Sequence, residues 1–110
     1  MANRPISISG INPDGTLILS DNGSTNVNPS DTVTWQIGFN SGVATITGII
    51  DSSSTDVFFP DPAPLANSSS WQGTVNPLIA RGSEEYYTIN YTRSNGNEAG
   101  SFDPKIQVNP

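Results

Sequence analysis

Asn26-Val27-Asn28-Pro29-Ser30-Asp31-Thr32-Val33-Thr34-Trp35 is the stretch whose reading decides the fold. Pro29-Ser30-Asp31 is turn chemistry, because proline presets φ and the Ser and Asp side chains bond their own backbone. Immediately after it the residues alternate. Val33, Trp35 and Ile37 fall on one face, and Thr32, Thr34 and Gln36 on the other. A period of two with one threonine-rich face predicts a half-buried strand. The end of the chain, from Gly100 to Val108, reads the same way, with Phe102, Pro104, Ile106 and Val108 on one face. Pro104 has no N–H to give to a ladder, so it marks an edge or a bulge. These two stretches are the opening and closing strokes of a small Greek-key β-sandwich.

The same period runs through most of the chain. Ile6 and Ile8 alternate with Ser7 and Ser9, and Tyr87, Ile89 and Tyr91 alternate with Tyr86, Thr88 and Asn90. Leu17-Ile18-Leu19 is a short run compatible with a buried strand. Val43 to Ile50 is rich in β-branched residues, with Gly48 as a candidate bulge. Val57 to Phe59 and Trp71 to Val75 are short strand candidates that stop at Pro60 and Asn76-Pro77. Asp61 to Ser70 reads as a loop, and Leu78 to Arg81 as the one candidate helical turn. Turn signals stand at Pro13-Asp14-Gly15, Asp21-Asn22-Gly23 and Asn95-Gly96. The expectation is an all-β, single-domain sandwich over residues 1–110, with about seven to nine short strands. Val33/Trp35/Ile37, Tyr87/Ile89/Tyr91 and Phe102/Ile106/Val108 would form its core.

Composition narrows the function more by exclusion than by indication. The 110 residues hold no His and no Cys, and the single Met is Met1. Disulfides, thiolate chemistry and zinc–thiolate sites are therefore ruled out. The net charge is −6, and the four cations, Arg4, Arg81, Arg93 and Lys105, are scattered. Nucleic acid needs a clustered basic surface, and an anionic membrane needs the same, so both are disfavoured as partners. No apolar run approaches the roughly 18 residues of a membrane span. Met1 to Ser9 lacks the charged-then-apolar pattern of a signal peptide. Two localisations stay open: cytoplasmic, or secreted with the leader trimmed away.

Asn28-Pro29-Ser30-Asp31-Thr32-Val33-Thr34-Trp35 resembles the cupredoxin-like families, in which a Gly- or Ser-Asp turn opens a strand of Val-x-Trp type. Tyr86 to Tyr91 is similar to their strand that leads to the copper loop, and Ile106-Gln107-Val108 to their closing strand. The resemblance implies a cupredoxin-like, immunoglobulin-like Greek-key sandwich. It does not carry the copper. Type-1 copper needs a soft thiolate and imidazoles. The place of the Cys, near Asn90, has no thiol, and residues 92–101 contain no His and no Met. No copper and no other cofactor is expected.

A second resemblance competes. Ile89-Asn90-Tyr91 followed by Asn95-Gly96-Asn97-Glu98-Ala99-Gly100-Ser101-Phe102 is similar to the end of the small calcium-dependent galactose-binding bacterial lectins. It implies a calcium loop in which Asn95, Asn97 and Glu98 supply oxygens. Asn95 and Asn97 are not adjacent here, and Thr92 or Arg93 stands where those lectins have an Asp.

The remaining candidates are aromatic and acidic. Trp71, Tyr86 and Asn90 are the candidate ligand-binding residues: an exposed ring beside an amide stacks a sugar and bonds its hydroxyls. For Trp71 a core role is the alternative. Phe58 and Phe59 are adjacent in a strand, so one of the two rings faces outward. Asp14/Asp21 and Asp51/Asp56 read as turn formers. Glu84 and Glu85 point to opposite faces, cannot act as a pair, and read as a solvated strand entrance. Asn22, Asn67 and Asn90 head glycosylation-type triplets, which an Asn/Ser/Thr-rich chain produces by chance. With no His or Cys for acid–base or nucleophilic work, no catalytic residue is assigned. The expectation is a non-enzymatic binding or structural module for carbohydrate or protein, and a homo-oligomer is compatible with it. The alternative is a lectin-like domain, with or without calcium.

Overall fold

A computed structural model of the chain describes residues 3–21, 23–52, 56–59, 61–66, 68–94 and 99–110. The strands are β1 (Asn3–Ile11), β2 (Leu17–Leu19), β3 (Ser24–Val27), β4 (Thr32–Ile37), β5 (Val43–Asp51), β6 (Ala63–Pro64), β7 (Trp71–Thr74), β8 (Glu84–Arg93), β9 (Ala99–Phe102) and β10 (Lys105–Val108). They form two mixed sheets. One runs β2-β1-β4-β7-β6; the other runs β3-β10-β8-β5, with β9 also on β8. The apolar faces of the two sheets close on each other as an all-β sandwich.

The deciding stretch folds as its chemistry requires. Asp31 N–H donates to Asn28 O at 3.1 Å and closes the turn, in which Ser30 takes a φ of 73°. Asp31 Oδ2 accepts from Asn28 N–H at 2.9 Å and from Arg4 Nε at 3.0 Å. That contact ties the turn to β1, which runs parallel to β4 from Asn3↔Thr32 to Ile8↔Ile37. Trp35 then points inward, fully buried, with its Nε1 donating to Tyr87 Oη at 3.1 Å. Its ring meets Phe58 and Tyr87 edge-on at 5.6 Å from each centroid. Val33, Tyr87, Ile89, Tyr91, Ile106 and Val108 are buried with it, while Ile37 and Phe102 are half-buried at the margin.

Ten strands are present among the described residues rather than seven to nine. Two causes are visible. Asp103-Pro104 breaks the last strand, so β9 and β10 lie end to end along β8 in one unbroken register. Pro104 is buried and lends only its carbonyl, to Tyr87 N–H at 3.1 Å. The loop read over Asp61 to Ser70 contains a two-residue strand, β6, held on β7 through Ala63↔Gln72 and Pro64↔Trp71. Three smaller expectations change as well. Ile18 is exposed between buried Leu17 and Leu19, so β2 is half-buried. Val57 to Phe59 contributes only the bridge Phe58↔Val75. Leu78 to Arg81 makes turns, and no helix occurs among the described residues. None is therefore long and apolar enough to cross a membrane.

Candidate functional site

β8 carries the residue around which the site is built. Its alternation puts Tyr87, Ile89 and Tyr91 inward, and Glu85 lies two residues before Tyr87 on the same face. Glu85 is 2 % exposed. Its Oε1 accepts from Val57 N–H at 2.6 Å, a bond that pins the segment leading into the Phe58↔Val75 bridge. The reading of Glu84-Glu85 as a solvated entrance holds for Glu84 and fails for Glu85. The opposed faces were read correctly; the inward one is occupied by a carboxyl.

β5 brings a second carboxylate to it. Asp51 pairs with Tyr87 at the end of the β5–β8 ladder and so continues the inner face of Ile49. Asp56 arrives from the following segment and accepts from Phe58 N–H at 3.1 Å, the local turn bond expected of it. One carboxylate oxygen from each of Asp51, Asp56 and Glu85 lies within 4.8 Å of the others. Asp51 and Asp56 are therefore more than turn formers. Asp61 lies beside them, and its side chain helps to raise the pKa of Asp56.

These groups line one open cavity of 360 Å³, together with Gly48, Ile49, Ile50, Pro62 and Trp71. No basic residue is in that lining. The electrostatics follow. Burial, reinforced by Asp51, Asp56 and Asp61, pushes the Glu85 carboxyl up to about 8, so it keeps its proton at neutral pH. Burial raises Asp56 too, with Asp61 and Asp51 adding repulsion. A protonated carboxyl grouped with other carboxyls is an arrangement that acid–base catalysis uses. Here the protonated member is almost wholly covered, and one of its oxygens is taken by backbone.

Trp71 stands opposite Trp35 in the β4–β7 register, hence on the inner face. It is half-buried against the core and donates its Nε1 to Ile46 O at 3.2 Å. It is a wall of the cavity, not an outward platform. Tyr86 is 52 % exposed and Asn90 half-buried, both on the outer face of β8. The structure thus does not bring Trp71, Tyr86 and Asn90 together. Phe58 is buried and Phe59 exposed, as the alternation required. Asp14 accepts from Thr16 N–H and Oγ1, and Asp21 from Gly23 N–H and Thr25 Oγ1, so both are turn formers. Asn95, Asn97 and Glu98, the calcium candidates, lie outside the described residues, as do Asn22 and Asn67.

No protein-family model matches the chain, and no curated protein matches it. Among solved structures it is similar to the cysteine protease inhibitor EhICP2 from Entamoeba histolytica, at 13 % sequence identity and a TM-score of 0.45, over 98 % of this chain and 96 % of that one.

Proposed function

We propose that this protein is a non-enzymatic binding module whose ligand seat is the cavity between β5 and Trp71, and that the seat takes an organic cation. One observation carries the reading: four carboxyls converge on a single open cavity with no basic side chain in its lining. Like charges gathered this way repel, and an incoming cation relieves them. The apolar part of the lining, Ile49, Ile50, Pro62 and Trp71, selects among cations. A bare metal ion gains nothing from such walls. The aliphatic stem of a lysine or arginine side chain does, while its head reaches the carboxylates. The net charge of −6 favours encounter with a basic partner. The absence of His and Cys from the whole chain supports a non-enzymatic role.

The cupredoxin-like likeness remains part of this proposal. A sandwich of that kind without thiolate or imidazole ligands is a scaffold for binding rather than for electron transfer. Carbohydrate is the second reading, and Trp71 in the cavity wall favours it, since a ring beside carboxylates also suits a sugar. Calorimetric titration with N-acetyl-arginine amide and, separately, with methyl galactoside discriminates the two. The cation should bind and weaken about tenfold or more in an Asp51→Asn/Asp61→Asn variant, as lost charge-assisted bonds would. Binding of the galactoside with no heat from the arginine amide would reverse the order.

A further inference from the structure

The geometry points to the outer edge of β5 as a docking strip for an extended, basic peptide segment of a protein partner, which adds a strand there and places one cationic side chain in the neighbouring cavity. This rests on the reading of that cavity as a cation seat. β5 ends its sheet, pairing with β8 on one side and with no other strand among the described residues. The other edge strands are short: β2 has 3 residues, β6 has 2, and β3 and β9 have 4 each, against 9 for β5. Length decides how many backbone groups an incoming strand meets.

Edge strands are usually blunted by Lys or Pro. Val43 to Ile50 contains neither, and no charge appears before Asp51. Two register shifts, at Val43/Thr45 and Ile46/Gly48, twist the first part of the strand. Trp71 Nε1 already takes Ile46 O. The stretch Gly48 to Asp51 lies past both. All four of its residues line the cavity, including inward Ile49 and outward Ile50, which is 56 % exposed. A cavity that touches residues of both faces flanks the strand's edge rather than covering one face. Strand addition of this kind takes affinity from backbone bonds and specificity from a pocket for an alternate side chain. Here that pocket is acidic, so charge complementarity fixes a basic residue. A second copy of this chain is the poorer occupant, because it would bring another −6 to the same surface.

The test uses a capped hexapeptide alternating threonine and valine around one arginine. Its companions are the same peptide with N-methylated alternate amides, the same peptide with citrulline for arginine, and N-acetyl-arginine amide. Affinity is read by calorimetry, and location by backbone amide NMR. The hexapeptide should bind about tenfold or more tighter than the arginine amide, the gain that two backbone hydrogen bonds supply. N-methylation should abolish that gain. Amides from Thr47 to Asp51 should shift and exchange more slowly on binding. If the arginine amide binds the cavity but the hexapeptide binds no tighter, or its N-methylated form binds equally well, the strip is refuted while the cation seat stands. If the citrulline peptide binds as tightly as the arginine peptide, the cation seat fails, and the basic partner with it. Concentration-dependent dimerisation that an Ile50→Lys variant abolishes would give the edge to a second copy and overturn the inference.

Discussion

Replacing Glu85 by Gln tests the electrostatic account of the cavity without disturbing its shape. The Gln carbonyl oxygen can still accept from Val57 N–H, so the bond that holds this segment survives. Only the titration is removed. The folded carboxyl protonates with a pKa raised from 4.5 to about 8. Below 4.5, Glu85 is protonated in the folded and the unfolded chain, and the contribution of the raised pKa is fully present. Between 4.5 and about 8 the unfolded chain releases the proton and the folded chain keeps it. Stability therefore falls as pH rises through this window, and the contribution is lost above about 8. At about 1.4 kcal/mol per pH unit the whole window is worth at most about 5 kcal/mol. Asp56 slopes the same way, since its pKa is raised too.

The assay is urea unfolding of both proteins at pH 5 and at pH 8.5. Any pH-independent effect of the amide cancels in the comparison. Wild type should lose several kcal/mol between the two pH values, and Glu85→Gln much less, so the variant overtakes wild type on the alkaline side. Curves for the two proteins that stay parallel within about 0.5 kcal/mol would refute the reasoning. They would mean that Glu85 is ionised in the folded state, with the cavity wet enough to solvate it.

Four further outcomes are expected. Trp35→Ala should cost about 3–5 kcal/mol, because the indole is fully buried, donates to Tyr87 Oη and packs on two rings; a loss in urea unfolding of under about 1 kcal/mol would place it outside the core. Gly38→Ala should lower the melting temperature, since a Cβ there collides with the backbone oxygen of Ile8; Gly82→Ala, with nothing within 4 Å of its Cβ, should show only the strain of its φ of +87°, about 1–2 kcal/mol. Copper(II) followed by dialysis should leave no stoichiometric metal and no blue band, as a chain without thiolate or imidazole predicts. Calcium at about 1 mM should leave the melting temperature unchanged, because the apolar part of the cavity wall gives a bare ion nothing; a rise that chelator reverses and that Glu98→Gln removes would restore the calcium reading of the 92–100 loop, and one that Glu85→Gln removes would make the cavity a metal seat.

The period-two pattern carried the fold a long way and stopped at the site for a physical reason. Val33/Trp35, Tyr87/Ile89/Tyr91 and Ile106/Val108 are inward because burying alternate apolar side chains is what drives strands into a sandwich, and that is local information. Glu85 obeys the same alternation. Its place two residues before Tyr87 was legible, and an inward carboxyl at the head of an aromatic face was the signal to follow. The partners of Glu85 were not legible. Asp51 reaches it only through the pairing Asp51↔Tyr87, and two register shifts in β5 intervene between Val43 and that pair. A bulge changes which residues stand opposite one another without changing the composition of either strand. Asp56 and Asp61 lie outside the long strands, so alternation does not encode that they meet Glu85 in one cavity. Trp71 itself was half legible. Its core role followed from facing Trp35, but that pairing is again a matter of register.

What Glu85 does for the fold is narrower than what it costs. The backbone donor it satisfies, Val57 N–H, needs an acceptor oxygen and nothing more. A neutral amide supplies one. A carboxyl at that place must instead keep a proton near neutral pH or bear a buried charge beside Asp51, Asp56 and Asp61, and each alternative destabilises the folded chain. No cation of the chain lines the cavity to relieve it, and two of the four are paired elsewhere, Arg4 with Asp31 at 3.0 Å and Lys105 with Glu84 at 3.6 Å. Turn formation accounts for Asp14 and Asp21, and for one oxygen of Asp56; it does not account for four carboxyls sharing a cavity. Local rules broken without a structural gain are expected where a surface is shaped for something outside the chain. A cation entering the cavity would draw the proton off Glu85 and convert a repulsive cluster into an attractive one. Binding should therefore release protons near neutral pH, and the heat of binding should vary with the ionisation enthalpy of the buffer. Equal heats in phosphate and Tris at pH 7 would separate the ligand from Glu85 and leave the buried carboxyl unexplained.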